Sequence, residues 1–333
     1  MLVAFGILVI AGIGGTLWET HARRRDAREV PRLGRAYDVG GYSLNLDCTG
    51  PERPGSPTVI LDAGLGGPAV SWGMVQPLIA EFARVCSYDR AGMGWSEPGP
   101  APRSSQQIAK ELHAVLGKAG VRPPYILVAH SMAGFHARVF HRMYPGEVAG
   151  MVLVDAAQED QNGALPPSLK KWLSSQNEPP GRFQRALATF LSRAGLARLA
   201  AQSDPTLQGL PANLRRQMVR AVIQPKSRDA AQAELLAFDE SAEQARQSGN
   251  LGEMPLIVLT AGKESRPELL PEEVNPKDLD NFRNAWITDL QMRLVHLSSQ
   301  GRQVIVEDSA DLIPFERPAV IAAAVREVYQ GHP

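Results

Sequence analysis

Charge of one sign is missing from this chain. Its 35 lysines and arginines balance its 35 aspartates and glutamates. No basic stripe with interleaved aromatics occurs, so nothing in the chain points to nucleic acid as a partner. Cysteine is nearly absent too, with only Cys48 and Cys86. Two cysteines cannot build a metal cluster, and the seven histidines form no H-E-x-x-H. No metal and no cofactor is therefore expected. Each cysteine lies in an apolar, strand-like run and reads as a small buried hydrophobe. A disulfide is the alternative, if those two strands are neighbours. Low-complexity tracts and fixed-period repeats are also missing.

What is present is a chain of 333 residues with 44% hydrophobic and 21% charged residues, enough for a sizeable core. Its first stretch has a different texture. Leu2 to Trp18 carries no charge, and residues 19–35 hold six arginines against three acids. Residues 1–20 are read as a single-pass transmembrane signal anchor and residues 21–34 as an Arg-rich linker. The arginine bias places the following domain on the cytoplasmic side of a bacterial inner membrane, with a periplasmic or secreted location as the alternative.

Beyond the arginines, two alternating runs flank Gly40-Gly41, which predicts a hairpin. Short, nearly continuous apolar runs follow at 58–63, 84–89, 125–130, 151–155, 256–260 and 303–306. Runs of this kind are strands buried on both faces, as in a parallel sheet. Between 84–89 and 125–130 lies a helical pattern that places Ile108, Leu112, Val115 and Leu116 on one face. Ser104 and Gln107 are placed as its capping box and Gly120 as its end. Strand and helix in alternation predict an α/β doubly wound sheet over 35–155 and 254–333. Residues 156–253 contain no strand-like run and are expected to form a helical lid over the C-terminal edge of the sheet.

One segment concentrates the chemistry. In Tyr125 to Phe140 a buried strand runs into His130-Ser131-Met132, then small residues, then a helix. A nucleophile elbow needs a serine on a strained strand-to-helix turn with small neighbours on either side. Here Ala129 and Ala133 stand where glycines are usual. The alternative role for Ser131 is the N-cap of an ordinary helix.

With these residues, "LDAGLGGPAVSW", "RVCSYDRAGMGWSEPGP", "AHSMAG" and "MVLVDAAQED", the chain resembles the α/β-hydrolase superfamily, and within it the membrane-anchored bacterial esterase-like members. The resemblance runs from about Arg35 to Tyr329. It implies an eight-stranded, mostly parallel sheet, with Ser131 as nucleophile and the N–H groups of Leu65 and Met132 as an oxyanion hole. It implies Asp155 as the triad acid, as in haloalkane dehalogenases, with Glu264 as the alternative. Asp89 and Arg90 fall in a turn with a structural role. The family's histidine follows the eighth strand in a pattern like S-G-H-x-[IVL]. Here the match, Ser309-Ala310-Asp311-Leu312-Ile313, puts Asp311 at that position, with no histidine within ten residues. An aspartate with a pKa near 3.9 is a poor base at neutral pH. The resemblance therefore implies a weak serine hydrolase for small ester or acyl ligands. The alternative is a membrane-tethered binding protein on the same fold, resembling plant gibberellin receptors.

Overall fold

The computed structural model describes residues 2–171, 181–263 and 275–331. Glu264 lies outside them. Eight strands form one sheet: β1 (Arg35–Asp38), β2 (Ser43–Thr49), β3 (Thr58–Asp62), β4 (Val85–Asp89), β5 (Tyr125–His130), β6 (Val148–Val154), β7 (Leu256–Ala261) and β8 (Gly301–Val306). Their spatial order is β1-β2-β4-β3-β5-β6-β7-β8. β1, β2 and β4 pair antiparallel, and every other pairing is parallel. The glycine pair closes the β1–β2 hairpin, where the Asp38 carboxylate accepts hydrogen bonds from both Gly40 N and Gly41 N.

The continuous apolar runs have a plain cause. Along β5, Leu127 and Ala129 point into one core layer, while Ile126 and Val128 point into the other. Since both sheet faces are covered, both parities must be apolar. The first layer is closed by α3 (Ser105–Lys118) and α4 (Ala133–Met143), which contribute Leu112, Leu116, Ala137 and Phe140. The second is closed by α2 (Gln76–Ala80) and by the last long helix (Pro318–Gln330), which contribute Ile79, Ile321 and Val325.

Between β6 and β7 the described residues hold only helices. They include α5 (Gln161–Ala164), α6 (Arg182–Arg193), α7 (Leu196–Ser203), α8 (Pro205–Gln208), α9 (Ala212–Val222), α10 (Pro225–Leu236) and α11 (Phe238–Arg246). Leu207, Leu214 and Met218 form a core of their own with Val70 of the main body.

Among the described residues no helix is long and apolar enough to cross a membrane. The first helix, α1 (Leu2–Glu29), runs unbroken through most of the arginine-rich stretch. Its second half is fastened to the helical segment. Arg198 is buried between Glu19 and Asp26, and Arg220 donates to the Asp26 and Val30 carbonyls.

Two local expectations change. Ser104 is the N-cap of α3 but makes no side-chain cap bond. Gln107 turns instead to Tyr42 and Glu111. Cys48 and Cys86 face each other in the β2–β4 register and are joined by a disulfide, so the alternative for these cysteines holds.

Candidate active site

The site follows from the order of the strands. The chain places β4 on one side of β3 and β5 on the other, so the loops leaving β3 and β5 diverge at a switch point and frame a crevice. The loop after β3 carries Gly64 and Leu65, and the turn after β5 carries Ser131.

Ser131 has a φ of 53°, one of two non-glycine residues in the left-handed region among those described. Such a conformation costs of order 1–3 kcal/mol and persists only where its surroundings impose it. Here Ser131 N donates to Val154 O at 3.0 Å, and its carbonyl accepts from Gly134 N and Ala157 N. The small neighbours are required by packing. Ala129 and Ala133 are fully buried, and a Cβ on Gly134 would lie 2.7 Å from Ala156 Cβ. The turn is therefore an elbow, and Ser131 is not the N-cap of α4, which begins two residues later.

Facing it, the β3 loop approaches so closely that a Cβ on Gly64 would sit 3.1 Å from Ser131 Cβ. Among the described residues, neither Leu65 N–H nor Met132 N–H is engaged by a backbone acceptor. Both residues line the same cavity as Ser131. Two unengaged N–H groups beside a nucleophile can hold a developing oxyanion.

The loop is braced from beneath. Arg90, almost wholly buried, donates to Ala63 O at 2.5 Å and Gly64 O at 2.7 Å. Its guanidinium also pairs with Asp62 at 2.7 Å and with Glu234 of α10 at 2.7 and 2.9 Å. Glu234 in turn accepts from Gly66 N at 3.2 Å. Asp62 takes further bonds from Tyr88 and His136, and the neighbouring cation holds its carboxyl below the usual range in spite of burial. The structural role expected for Asp89 and Arg90 is present. Asp89 accepts from the backbone N–H of Ala69 and Trp95. Glu234 carried no sequence signal, because a helical glutamate that is buried looks like one that is solvated.

Asp155 directly follows β6 and is the second positive-φ residue, at 42°. Its Oδ1 accepts from Ala261 N at 3.0 Å and from Trp286 Nε1 at 2.9 Å. Trp286 opens a π-helical turn (Trp286–Leu290) between α12 (Pro276–Ala285) and α13 (Gln291–Val295), and no local pattern marks it as a partner of Asp155. Burial pushes Asp155 up to about 6, and the charge of Asp311 adds to that rise.

Asp311 lies in the loop after β8, just before α14 (Ile313–Glu316), and its side chain is exposed. The residues that line the cavity with Ser131 and Asp155 do not include Asp311. The Asp311 carbonyl is 2.8 Å from His130 Nε2. A carbonyl can only accept, so Nε2 carries the proton, and burial favours the neutral ring. His130 thus anchors the Asp311 loop from the residue preceding the nucleophile.

Ser131, Asp155, Leu65 and Met132 share a cavity of about 370 Å³. Trp286 closes one wall, and Leu235, Leu236 and Phe238 come from the helical segment. Among the described residues no histidine lines this cavity, and no group of three or more His, Cys, Asp or Glu side chains could hold a metal.

Comparison with known proteins agrees with this architecture. The Bacillus subtilis (strain 168) protein YqjL is 23% identical over 298 residues, covering 89% of this chain and 91% of that protein. The crystal structure of Cfl2 from Burkholderia cenocepacia superposes with a TM-score of 0.67 at 21% identity, over 89% of this chain and 95% of that one. A thermophilic esterase from Thermogutta terrifontis gives a TM-score of 0.58 at 19% identity, over 90% and 97% of the two chains. At these identities the two solved structures speak for the fold. The chain spans less than half the length of the first curated relatives it matches, 18% of one and 43% of another. The family model for the alpha/beta hydrolase fold matches residues 57–265, more than half of the chain, including the turn at Ser131, the loop after β3 and Asp155, and the chain belongs to that family.

Proposed function

We propose that this chain is a serine hydrolase of small ester-like or acyl substrates, with Ser131 as nucleophile and turnover held back by Asp311 at the position of the general base. The observation that carries it is the strained Ser131 elbow facing two unengaged N–H groups, Leu65 and Met132, in one cavity. Attack by Ser131 Oγ on an ester carbonyl would place the oxyanion between those donors. The serine proton must then leave through water or Asp311. A triad that lacks one member typically retains about 10³–10⁴-fold catalysis over water, from the oxyanion hole and binding. The cavity walls from Leu235, Leu236 and Phe238 suit a short acyl group. Asp155 is proposed as the acid.

The test is hydrolysis of p-nitrophenyl butyrate by the unmodified chain and by Ser131→Ala at neutral pH. A slow rate that disappears in Ser131→Ala is expected, and equal rates in the two would overturn the assignment. One observation favours a second reading, a ligand-binding protein without turnover. Asp155 Oδ1 accepts from Ala261 N and Trp286 Nε1, and neither donor is a base. Binding of the ester without any Ser131-dependent hydrolysis would select that reading. For location, the Cys48–Cys86 bond favours an oxidising compartment, periplasmic or extracellular, over the cytoplasm.

A further inference from the structure

The helical segment between β6 and β7 carries an apolar face that points away from the protein. Along α6, Phe183, Leu187, Phe190 and Leu191 follow helical spacing, and all four are exposed, Phe183 at 79% and Phe190 at 54%. An amphipathic helix normally turns such a stripe inward. Leu196 and Leu199 of α7 extend the face, each 48% exposed. So does α1, which lies against the α6–α7 junction. A Cβ on Gly12 would meet Phe190, and one on Gly195 would meet Trp18. This contact sets the exposed Trp18 beside the same stripe, and Ile13 and Leu17, also exposed, lie on the same helix. A contiguous exposed patch of this kind marks an interaction site.

The rim of the patch is cationic. Arg182 and Arg193, both exposed, flank the stripe on α6. Arg24, Arg25 and Arg28, also exposed, follow Trp18 within about 15 Å along α1 at 1.5 Å per residue. An apolar helix face bordered by arginines fits the boundary between headgroups and acyl chains of a bilayer. A second copy of the chain fits poorly, because a two-fold contact would set one arginine rim against the other.

We infer that the α1–α6–α7 face docks on the surface of an anionic lipid bilayer, lying in one leaflet and not crossing it. This inference does not depend on the hydrolase proposal. Each arginine near an anionic surface is worth about fivefold in partitioning. Burying Phe183 and Leu187 together contributes on the order of a hundredfold.

The experiment uses the full chain with vesicles of phosphatidylcholine alone or with 30 mol% phosphatidylglycerol. Flotation should recover the protein with the anionic vesicles and release it as salt rises. Phe183→Glu with Leu187→Glu should lower partitioning on the order of a hundredfold. Both side chains are exposed, so the thermal transition should not move. An environment-sensitive dye on Leu187→Cys should shift to the blue with anionic vesicles, while the same dye on Lys118→Cys should not. Flotation with no dye shift at position 187, or equal binding by the double variant, would overturn the docking face. Equal binding to both vesicle types would overturn the role of the arginine rim. A dimer in lipid-free buffer that the double variant converts to monomer would overturn the lipid assignment in favour of self-association.

Discussion

Replacing Asp155 by asparagine should make this protein more stable at neutral pH and leave it unchanged in acid. Burial holds the Asp155 carboxyl at about 6, against an ordinary value of 3.8. The native state therefore keeps the proton more tightly than the unfolded chain does. Between about pH 4 and pH 6 folding binds a proton, so stability falls as pH rises through that window. Above pH 6 the penalty is constant. Two pH units at about 1.4 kcal/mol each give roughly 3 kcal/mol. Asparagine removes the charge and keeps an oxygen to accept from Ala261 N and Trp286 Nε1, the two donors that hold the carboxylate. Urea unfolding at pH 4, 5, 6, 7 and 8 is the assay. The variant should match the parent at pH 4 and exceed it by about 2–3 kcal/mol at pH 8. A difference that does not change with pH, or a variant less stable at pH 8, would refute the view that desolvation governs this carboxylate. The stability so lost is the cost of keeping an acid in a dry site beside the nucleophile.

Other outcomes follow from the same geometry. Glu234→Ala should cost about 2–3 kcal/mol in denaturant unfolding, because Arg90 keeps Asp62 but two of its buried N–H groups lose their charged acceptor; a loss under 1 kcal/mol would mean that water reaches Arg90. Reducing the Cys48–Cys86 bond frees a loop of 38 residues, and the loop-entropy relation predicts about 4 kcal/mol lost at 25 °C. Thermal scans with and without reductant read that difference, and an unmoved transition would mean that the β2–β4 pairing persists in the unfolded chain. In the ester assay, Ser131→Ala should remove all hydrolysis above buffer.

The parts legible in the sequence were those written locally. Val59 to Leu61 or Met151 to Val154 must be apolar at every position because both faces are covered, and that pattern is visible without a structure. The elbow is legible because small residues, Ala129, Ala133 and Gly134, flank Ser131, and at Gly134 even a Cβ would strike Ala156. Long-range order was not. Nothing local states that β4 lies outside β3, and that placement brings Leu65 to Ser131. Glu234 lies 144 residues from Arg90, and no spacing rule links them. Trp286 reaches Asp155 from a π-helical turn that propensity does not mark. The arginines after the amino-terminal apolar run suit either a linker or a helix that docks through Glu19 and Asp26, and nothing local chooses between the two. Asp311 was placed by register alone; that its carbonyl serves His130 needed coordinates.

The most direct measurement concerns Ser131 itself. A fluorophosphonate reacts with a serine only when its oxygen is activated beside an oxyanion hole, and intact-mass spectrometry follows the adduct. The unmodified chain should label slowly and only at Ser131, and Ser131→Ala should not label. Asp311→His would put an imidazole at the position proposed for the base. General-base catalysis is worth about 10²–10⁴-fold, so labelling should accelerate at least a hundredfold and fall back when Asp155→Asn is added. Labelling of the unmodified chain at the rate of an ordinary serine hydrolase, or a folded Asp311→His variant with an unchanged rate, would contradict the assignment of position 311.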